Sequence, residues 1–130
     1  MNKAIISIGS NSVDSQTQME FAVRHIKSKF ANVVSSTIYE TKALNGIDAD
    51  YKNAVVVADT ENTFEVAEKF LKQWEVLCGR TPASKVQGVI PIDLDIVVWN
   101  NEIVREKDYS CAYFSQGYNQ LIALGEIQND

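Results

Sequence analysis

The sequence predicts an α+β fold of the ferredoxin-like type, with strands and helices in the order βαββαβ. Three observations predict it: short segments rich in β-branched residues, two longer segments with apolar residues at helical spacing, and polar loops with glycine or proline between them. In this fold the helices cover one face of the sheet, so the other face is free to carry a site. The 130 residues fit one domain, residues 1–130, with a short C-terminal extension.

The first half of the chain supplies a strand, a helix and two further strands. The first strand is predicted at residues 3–8, "KAIISI". Apolar residues then recur every three or four positions up to Phe30, which predicts an amphipathic helix. Residues 32–40 and 51–59 are rich in β-branched residues and predict an antiparallel pair joined by a long polar loop.

The second helix has the clearest signals. Asn62 followed by Glu65 is typical of a capping box at a helix start. An apolar stripe then runs from Phe64 to Leu77 and stops before Gly79, which can end a helix in a left-handed conformation. A helix over this stripe is therefore expected.

The last strand, residues 92–99, carries two carboxylates, Asp93 and Asp95. Side chains alternate across a strand, so both aspartates face the same side. By the same alternation, Tyr51 and Asn53 share one face of their own strand, and they meet the aspartates if that is also the face without helices. On the last strand we expect Leu94, Ile96 and Val98 to face the helices, and Asp93, Asp95 and Val97 to face away.

Paired aspartates on a strand face can hold a cation. Carboxylates roughly 6.6 Å apart along a strand repel each other unless they are protonated or bridged, and Mg²⁺ together with phosphate oxygens is a natural bridge. Arg80, after the second helix, and Lys85, in the loop that follows, can meet a phosphate. The alternatives are a solvated strand face for the aspartates and, for both cations, an interaction with the helix dipole.

Composition narrows the class of protein. Seventeen acidic residues against 12 basic ones give a net charge of −5, without a basic run that could follow a phosphate backbone, so no nucleic-acid partner is expected. No apolar run approaches the roughly 20 residues that span a bilayer, and the N-terminus lacks a signal-peptide cleavage site. We therefore expect a cytoplasmic protein without a membrane partner, as a monomer or a weak homo-oligomer.

Five motifs, in order along the chain, carry a family resemblance. The chain resembles the 6-hydroxymethyl-7,8-dihydropterin pyrophosphokinases of folate biosynthesis, as a divergent and shortened member, and that family has a ferredoxin-like α+β fold. The motifs are "IGSN" at residues 8–11, "SSTIYET" at 35–41, "DYKNAVV" at 50–56, "GR" at 79–80 and "IDLDIVVWNNEI" at 92–103.

The resemblance implies a reaction and a set of residues. It implies transfer of pyrophosphate from ATP to the hydroxymethyl group of a reduced pterin, with two Mg²⁺ ions. Asp93 and Asp95 match the magnesium ligands, and together with Arg80 they form the catalytic set. Arg80 also matches an arginine that binds ATP phosphates, and Lys85 is a second candidate for that role. The positions that match pterin-binding residues are Thr41, Leu44, Tyr51, Asn53 and Tyr118.

The resemblance is weakest on the phosphate side. Four positions depart from the family: Ile90, Pro82 and Gln116 stand where arginines are usual, and Gln87 stands where a tryptophan is usual. A phosphate-directed arginine is worth about 10³- to 10⁵-fold in rate, so reduced activity is expected unless other cations compensate. The candidates for that compensation are Lys42, Lys85 and Lys107.

Two further hypotheses belong to other classes. A non-catalytic homologue that binds a pterin or a similar flat heterocycle accounts for the altered phosphate side. An interaction module that pairs through its open sheet face is a third hypothesis, although burying unpaired carboxylates there would be costly. RNA-binding domains of this fold use aromatic and basic residues on that face, whereas this chain has the aspartates there.

Overall fold

A computed structural model describes residues 1–128 and confirms the predicted α+β fold. A six-stranded antiparallel sheet has the strand order β2-β4-β1-β5-β6, and β3 also pairs with β4. Its core order, with β1 between β4 and β5, is that of a ferredoxin-like sheet. The strands are β1 (Asn2–Ser10), β2 (Ala31–Ser35), β3 (Tyr39–Thr41), β4 (Tyr51–Thr60), β5 (Asp93–Trp99) and β6 (Glu102–Ile103).

The helices lie on both faces of the sheet. Residues of α1 and α2 pack on one face, and α5 packs on part of the other. Within the described residues, no helix combines the length and apolar character needed to span a bilayer. The helices are α1 (Ser15–Lys29), α2 (Phe64–Leu77), α3 (Pro82–Val86), α4 (Glu106–Tyr109) and α5 (Ala112–Ala123).

The main core lies between the sheet and the first two helices. Alternate residues of β1, β4 and β5 face it, and the apolar stripes of α1 and α2 cover it, as the helical spacing predicts. Its fully or almost fully buried members include Ala4, Ile6, Ile8, Met19, Ala22, Ile26, Ala54, Val56, Ala58, Ala67, Leu71, Leu94 and Ile96.

The predicted pair of strands at residues 32–40 and 51–59 is present, but the first of the two is interrupted. It divides into β2 and β3, and both pair antiparallel with β4. At the interruption, Ser36 continues the ladder with its backbone N–H, which donates to the carbonyl of Val55, and its hydroxyl accepts from the N–H of Val55. A side chain thus replaces one ladder bond between the two segments.

The second helix begins one residue later than the capping box at Asn62 predicts. Thr63 is the N-cap residue, and its hydroxyl accepts a hydrogen bond from the N–H of Val66. Threonine is also a favoured capping residue, so the sequence holds two adjacent candidates and the backbone uses the second.

A second, smaller core covers part of the face that we expected to be free. The C-terminal extension forms α4 and α5, and α5 packs mainly on β4, with its fully buried residues Phe114 and Leu121 in a cluster that also includes residues of β5. The part of this face nearer Gly9, Asn53 and Asp93 carries an open cavity instead. This smaller core consists of Ile5, Val55, Val57, Val97, Val98, Phe114, Leu121 and Ile127.

The prediction that Val98 faces the helices is wrong. The pairing of β1 with β5 shifts register, with Ile5 opposite Val98 and Ile6 opposite Ile96, so Val97 is an extra residue on β5. Such a bulge breaks the alternation of side chains. Val97 and Val98 therefore both belong to the smaller core, and Trp99 packs against the main one.

Replacing Gly117 with alanine is expected to destabilise the protein. Gly117 lies on α5 directly against β4, and a β-carbon there would be 2.7 Å from Val55 Cγ2 and 2.8 Å from the Tyr39 hydroxyl. Alanine gains about 1 kcal/mol of helix propensity, but overpacking costs about 1–3 kcal/mol. We expect a net loss of up to about 2 kcal/mol in the free energy of unfolding, measured by urea denaturation. Asn119→Ala on the exposed side of the same helix is the control, and equal stability of the two variants would contradict this packing.

Candidate active site

An open cavity of about 300 Å³ lies where β1 ends and where its antiparallel neighbours β4 and β5 begin. The strand register creates it, because Gly9 stands opposite Asn53 on one side and Asp93 on the other. The segment between β3 and β4 and one tyrosine of α5 close its sides. It is lined by Ser7, Gly9, Thr41, Lys42, Ala43, Leu44, Asn45, Asp48, Tyr51, Asn53, Asp93 and Tyr113.

The floor of the cavity is built around Asn53. This side chain is 3% exposed, and its amide nitrogen donates to the hydroxyl of Thr41 across the β3–β4 pair. A β-carbon at Gly9 would lie 3.2 Å from Asn53 Oδ1 and 3.6 Å from the ring of Tyr51. The absence of a side chain at Gly9 therefore keeps the space above Asn53 open.

Two aromatic residues border this space. Tyr51 is half-buried, and burial raises the pKa of its phenol, an effect to which the negative charges of Asp93 and Asp48 add. Tyr113 is held by its neighbours, since its carbonyl accepts from the Tyr39 hydroxyl at 2.7 Å and its own hydroxyl donates to Asp108. Each can offer a ring face to a flat ligand.

Tyr118 lies elsewhere. Its ring contacts those of Tyr109 and Phe114, with centroids 5.5 and 5.3 Å away, and it lines a second cavity near the C-terminal end of the described chain. It stands one helical turn after Phe114, on the side of α5 that packs against the sheet. The structure thus brings Thr41, Leu44, Tyr51 and Asn53 together, with Tyr113 beside them in place of Tyr118.

The rim of the cavity is a polar turn with exposed apolar tips. Asn45 Oδ1 accepts from the N–H groups of Ile47 and Asp48, which fixes the turn. Leu44 is 74% exposed and Ile47 is 86% exposed. Side chains this exposed at a cavity rim can cover a bound ring.

The two aspartates of β5 are joined by a third carboxylate that the sequence analysis missed. One oxygen from each of Glu75, Asp93 and Asp95 lies within 4.8 Å of the others. Glu75 comes from α2, is 6% exposed, and accepts a hydrogen bond from the N–H of Leu94 at 2.7 Å. A signal for it exists in the sequence, because Glu75 stands four residues after Leu71 on the apolar stripe of α2.

Three cations balance this carboxylate cluster, which we define as Glu75, Asp93 and Asp95. Arg80 lies 2.6 Å from Asp93 Oδ1 and 3.2 Å from Glu75 Oε1. The other two are Lys72, with its Nζ 2.7 Å from Asp95 Oδ1 and 3.0 Å from Glu75 Oε2, and Arg105, at 3.9 Å from Asp95 Oδ1. Lys72 and Arg105 were also missed, because neither stands in a motif.

Burial and charge both act on the ionisable groups. Burial raises the pKa of the Asp95 carboxyl, and the charge of Asp93 adds to this, while Lys72 and Arg105 offset part of it. Burial alone would lower the pKa of the Lys72 ammonium, but its contacts with Asp95 and Glu75 raise it above the usual value. The carboxylate cluster and its three cations thus form a dense set of opposite charges that screen one another.

The other cations proposed from sequence are further from the cluster. Lys42 lines the cavity, whereas Lys85 on α3 and Lys107 on α4 are exposed. Within residues 1–128, none of these three forms an ion pair with the carboxylate cluster.

The four positions that depart from the family present no charge to the cluster. The Ile90 side chain is 9% exposed. Pro82 occupies the first turn of α3, Gln87 is the C-cap residue of that helix, and Gln116 is exposed on α5. These four residues therefore add no positive charge beside the carboxylate cluster.

Asn11 of the "IGSN" motif braces the loop before β5. Its amide nitrogen donates to the carbonyl of Gly88 at 2.8 Å, and its Oδ1 accepts from the N–H of Ile90 at 2.6 Å. Its own backbone N–H donates to the carbonyl of Ile90. The side chain links the end of β1 to the segment that delivers Asp93, rather than facing an anion.

The donor set of the carboxylate cluster fits a hard divalent cation. Carboxylate oxygens are the ligands that Mg²⁺ prefers in proteins, and it commonly takes one or two of them together with substrate phosphate oxygens. Asp93 belongs both to this cluster and to the lining of the cavity. A bound cation and a ligand in the cavity would therefore be neighbours.

Comparison with known families agrees with this arrangement. The family model for 7,8-dihydro-6-hydroxymethylpterin-pyrophosphokinase (HPPK) matches residues 5–122, which is most of the chain and extends from within β1 to within α5. A comparison with curated proteins finds no significant match. The breadth of the family match, together with the fold, shows that the chain belongs to the HPPK family, whose members act in folate biosynthesis.

Proposed function

We propose that this protein transfers pyrophosphate from ATP to the hydroxymethyl group of 6-hydroxymethyl-7,8-dihydropterin. The observation that carries the proposal is the shared position of Asp93, which lines a ring-sized cavity and belongs to the carboxylate cluster. A pterin in the cavity would thus have its hydroxymethyl group beside the groups that handle phosphate. Small-molecule cavities run from about 300 to 1,000 Å³, so this one suits a single bicyclic ring.

The pterin side of the site rests on few groups. Asn53 offers an amide at the floor, and its amide nitrogen is already oriented by Thr41. Tyr51 and Tyr113 offer ring faces at the border. A buried amide that pairs with ring donors and acceptors rejects ligands lacking them, because its own polar atoms would otherwise lose partners.

The metal side would be formed by Asp93 and Asp95, with Glu75 beside them. The family resemblance implies two Mg²⁺ ions. Bound Mg²⁺ would supply neutralisation of phosphate charge and a template for in-line transfer. This chain's own residues would position the acceptor and hold cations beside the phosphates.

The phosphate side supports slow turnover. Arg80, Lys72 and Arg105 surround the carboxylate cluster, and Lys42 lies on the cavity wall. Arg80 and Lys72 are committed to carboxylates at 2.6 and 2.7 Å. They become available to phosphates only when other cations take over those carboxylates, so we infer a rate below that expected of a site with free arginines.

The test is formation of AMP from ATP with Mg²⁺ and the dihydropterin. We expect AMP to form only when all three are present and to cease on addition of EDTA. AMP release that is independent of the pterin would indicate a different reaction.

A second candidate is a non-catalytic protein that binds a pterin or another flat heterocycle. It is favoured by the contrast between an open, polar-floored cavity and the uncharged residues at Ile90, Pro82, Gln87 and Gln116. Calorimetry with the pterin, with and without ATP and Mg²⁺, separates the two. Binding that is unaffected by nucleotide, without AMP formation, would favour this candidate.

Replacing Tyr113 with leucine is expected to weaken pterin binding more than the same change at Tyr118. Tyr113 lines the cavity, and Tyr118 packs against Tyr109 and Phe114. Loss of a stacking ring costs about 0.5–1.5 kcal/mol, which corresponds to a roughly two- to tenfold weaker affinity. Fluorescence titration with the pterin measures both variants. A larger loss for Tyr118→Leu would support the pairing that the resemblance implies.

A further inference from the structure

Lys72 has an unusual set of partners for a lysine on a helix. It stands one turn before Glu75 on α2, and its ammonium contacts Glu75 Oε2 at 3.0 Å, Asp95 Oδ1 at 2.7 Å and the carbonyl oxygen of Leu94 at 2.8 Å. An ammonium group has three donors, so each has a partner. With contacts to three different residues, the ammonium is surrounded by oxygen atoms much as a metal ion would be, which differs from an ordinary surface ion pair.

The surroundings are those of a built site. The side chains of Glu75 and Asp95 are 7% and 12% exposed. At Leu94, β5 is the edge strand of the sheet, because β6 pairs only with Val98 and Trp99 further along β5. The outward peptide groups of Leu94 are satisfied from α2, with its N–H donating to Glu75 and its carbonyl accepting from Lys72. The Lys72 side chain itself is 41% exposed, so three contacts to less exposed groups, rather than burial, hold the ammonium in place.

The charge balance decides what this position means. The carboxylate cluster has three acidic groups. The positive charges of Lys72 and Arg80 offset two of them through contacts of 2.6 to 3.2 Å. Arg80 pairs with Asp93, which is 38% exposed, and with Glu75, whereas Lys72 pairs with the two more buried carboxylates, Glu75 and Asp95. A compact ammonium is also the side-chain group most like a metal ion.

We propose that the ammonium of Lys72 is an internal counter-cation that takes the place of a divalent ion at Asp95. The free protein accordingly binds Mg²⁺ weakly, and an ion enters the cluster only as Lys72 leaves Asp95. A nucleotide that brings both the ion and its own negative charge would favour this exchange. The inference rests on the proposed function only in taking these carboxylates as the metal site.

Metal affinity of the substrate-free protein tests the proposal. We compare wild type, Lys72→Met and Lys69→Met, using electron paramagnetic resonance to count free Mn²⁺. Lys69 is exposed one turn earlier on α2 and, in the described part of the chain, has no ion pair, so it controls for the loss of one positive charge. We expect Lys72→Met to bind Mn²⁺ at least about tenfold more tightly. The variant lacks the ammonium that competes with Mn²⁺ for Asp95 and repels it at short range. Unchanged or weaker binding would overturn the proposal.

A measurement on the wild-type protein covers the case in which Lys72→Met does not fold. With ¹³C-labelled lysine ε-carbons, titration with Mg²⁺ and a non-hydrolysable ATP analogue should shift the Lys72 signal and leave the Lys69 signal in place. A Lys72 signal that stays fixed while the metal binds would contradict the exchange. Neither measurement involves turnover, so a failure here leaves the proposed reaction untouched, and absent turnover leaves this proposal untouched.

Discussion

Replacing Asp95 with asparagine is expected to lower turnover about 10³-fold, because a bound metal ion supplies several kcal/mol of charge stabilisation and each 1.36 kcal/mol is a factor of ten. Asparagine keeps the shape of the side chain and an acceptor for Lys72, so the fold should persist. The carboxylate is central to the cluster, with a side chain that is 12% exposed and contacts from Lys72 and Arg105. AMP formation under saturating Mg²⁺ measures the effect.

The matched control is Asp59→Asn on β4. Asp59 is paired with Lys3 at 3.8 Å at the opposite end of the sheet, so its loss should leave turnover unchanged. Equal activity of the Asp95 variant and wild type would show that the carboxylate cluster does not serve the reaction. Circular dichroism on both variants separates a loss of function from a loss of structure.

Replacing Gly9 with valine is expected to abolish pterin binding, with a loss of about 100-fold or more, since a misfit side chain both removes contacts and forces neighbours off their rotamers. A β-carbon added at Gly9 would lie 3.2 Å from Asn53 Oδ1 and 3.6 Å from the ring of Tyr51. The branched methyl groups of valine would extend into the cavity. Calorimetry with the pterin alone measures this effect without any contribution from metal or nucleotide.

Ile5→Val on the same strand is the control for Gly9→Val. Ile5 faces the same side of β1 but belongs to the smaller core under α5, so the change removes one methylene outside the cavity. It should cost some stability and leave pterin affinity unchanged. If Gly9→Val binds the pterin as wild type does, the ligand occupies another part of the protein.

Local periodicity explains why so much of the fold was predictable. The stripes of α1 and α2 and the β-branched strands each carry their own signal, and the strand order follows once they are ordered along the chain. The bulge at Val97 has no such signal, because it depends on how β1 and β5 pair across the sheet. For the same reason alternation predicted Asp93 and Asp95 well and failed at Val98, beyond the bulge.

The placement of α5 shows a second limit of sequence reasoning. Phe114 and Leu121 stand at helical spacing, so a helix in the C-terminal extension was within reach of the pattern. The face of the sheet that this helix covers could not be predicted, because it depends on the path of the chain after β6. This path also decides that Tyr113, and not Tyr118, borders the cavity.

The carboxylate cluster combines both situations. The spacing of Asp93 and Asp95 on a predicted strand indicates a shared face. Glu75 interrupts the apolar stripe of α2, which indicates a buried carboxylate. Lys72 and Arg105 carry none, because their role depends on long side chains reaching β5 from α2 and from the segment after β6. The pattern of residue types identified Asp93, Asp95 and Arg80, whereas only the fold shows that Glu75, Lys72 and Arg105 join them.

Direct transfer of the pyrophosphate group to the pterin is the closest test of the proposed reaction. Protein in excess is mixed with ATP labelled with ³²P in the γ position, Mg²⁺ and 6-hydroxymethyl-7,8-dihydropterin, and the products are separated by chromatography over a single turnover. The arrangement of the cavity beside the carboxylate cluster predicts that the label moves to a pterin diphosphate, with one AMP per product, and that Asp95→Asn forms it far more slowly. Label that remains in ATP or appears only as inorganic phosphate would contradict the proposed reaction.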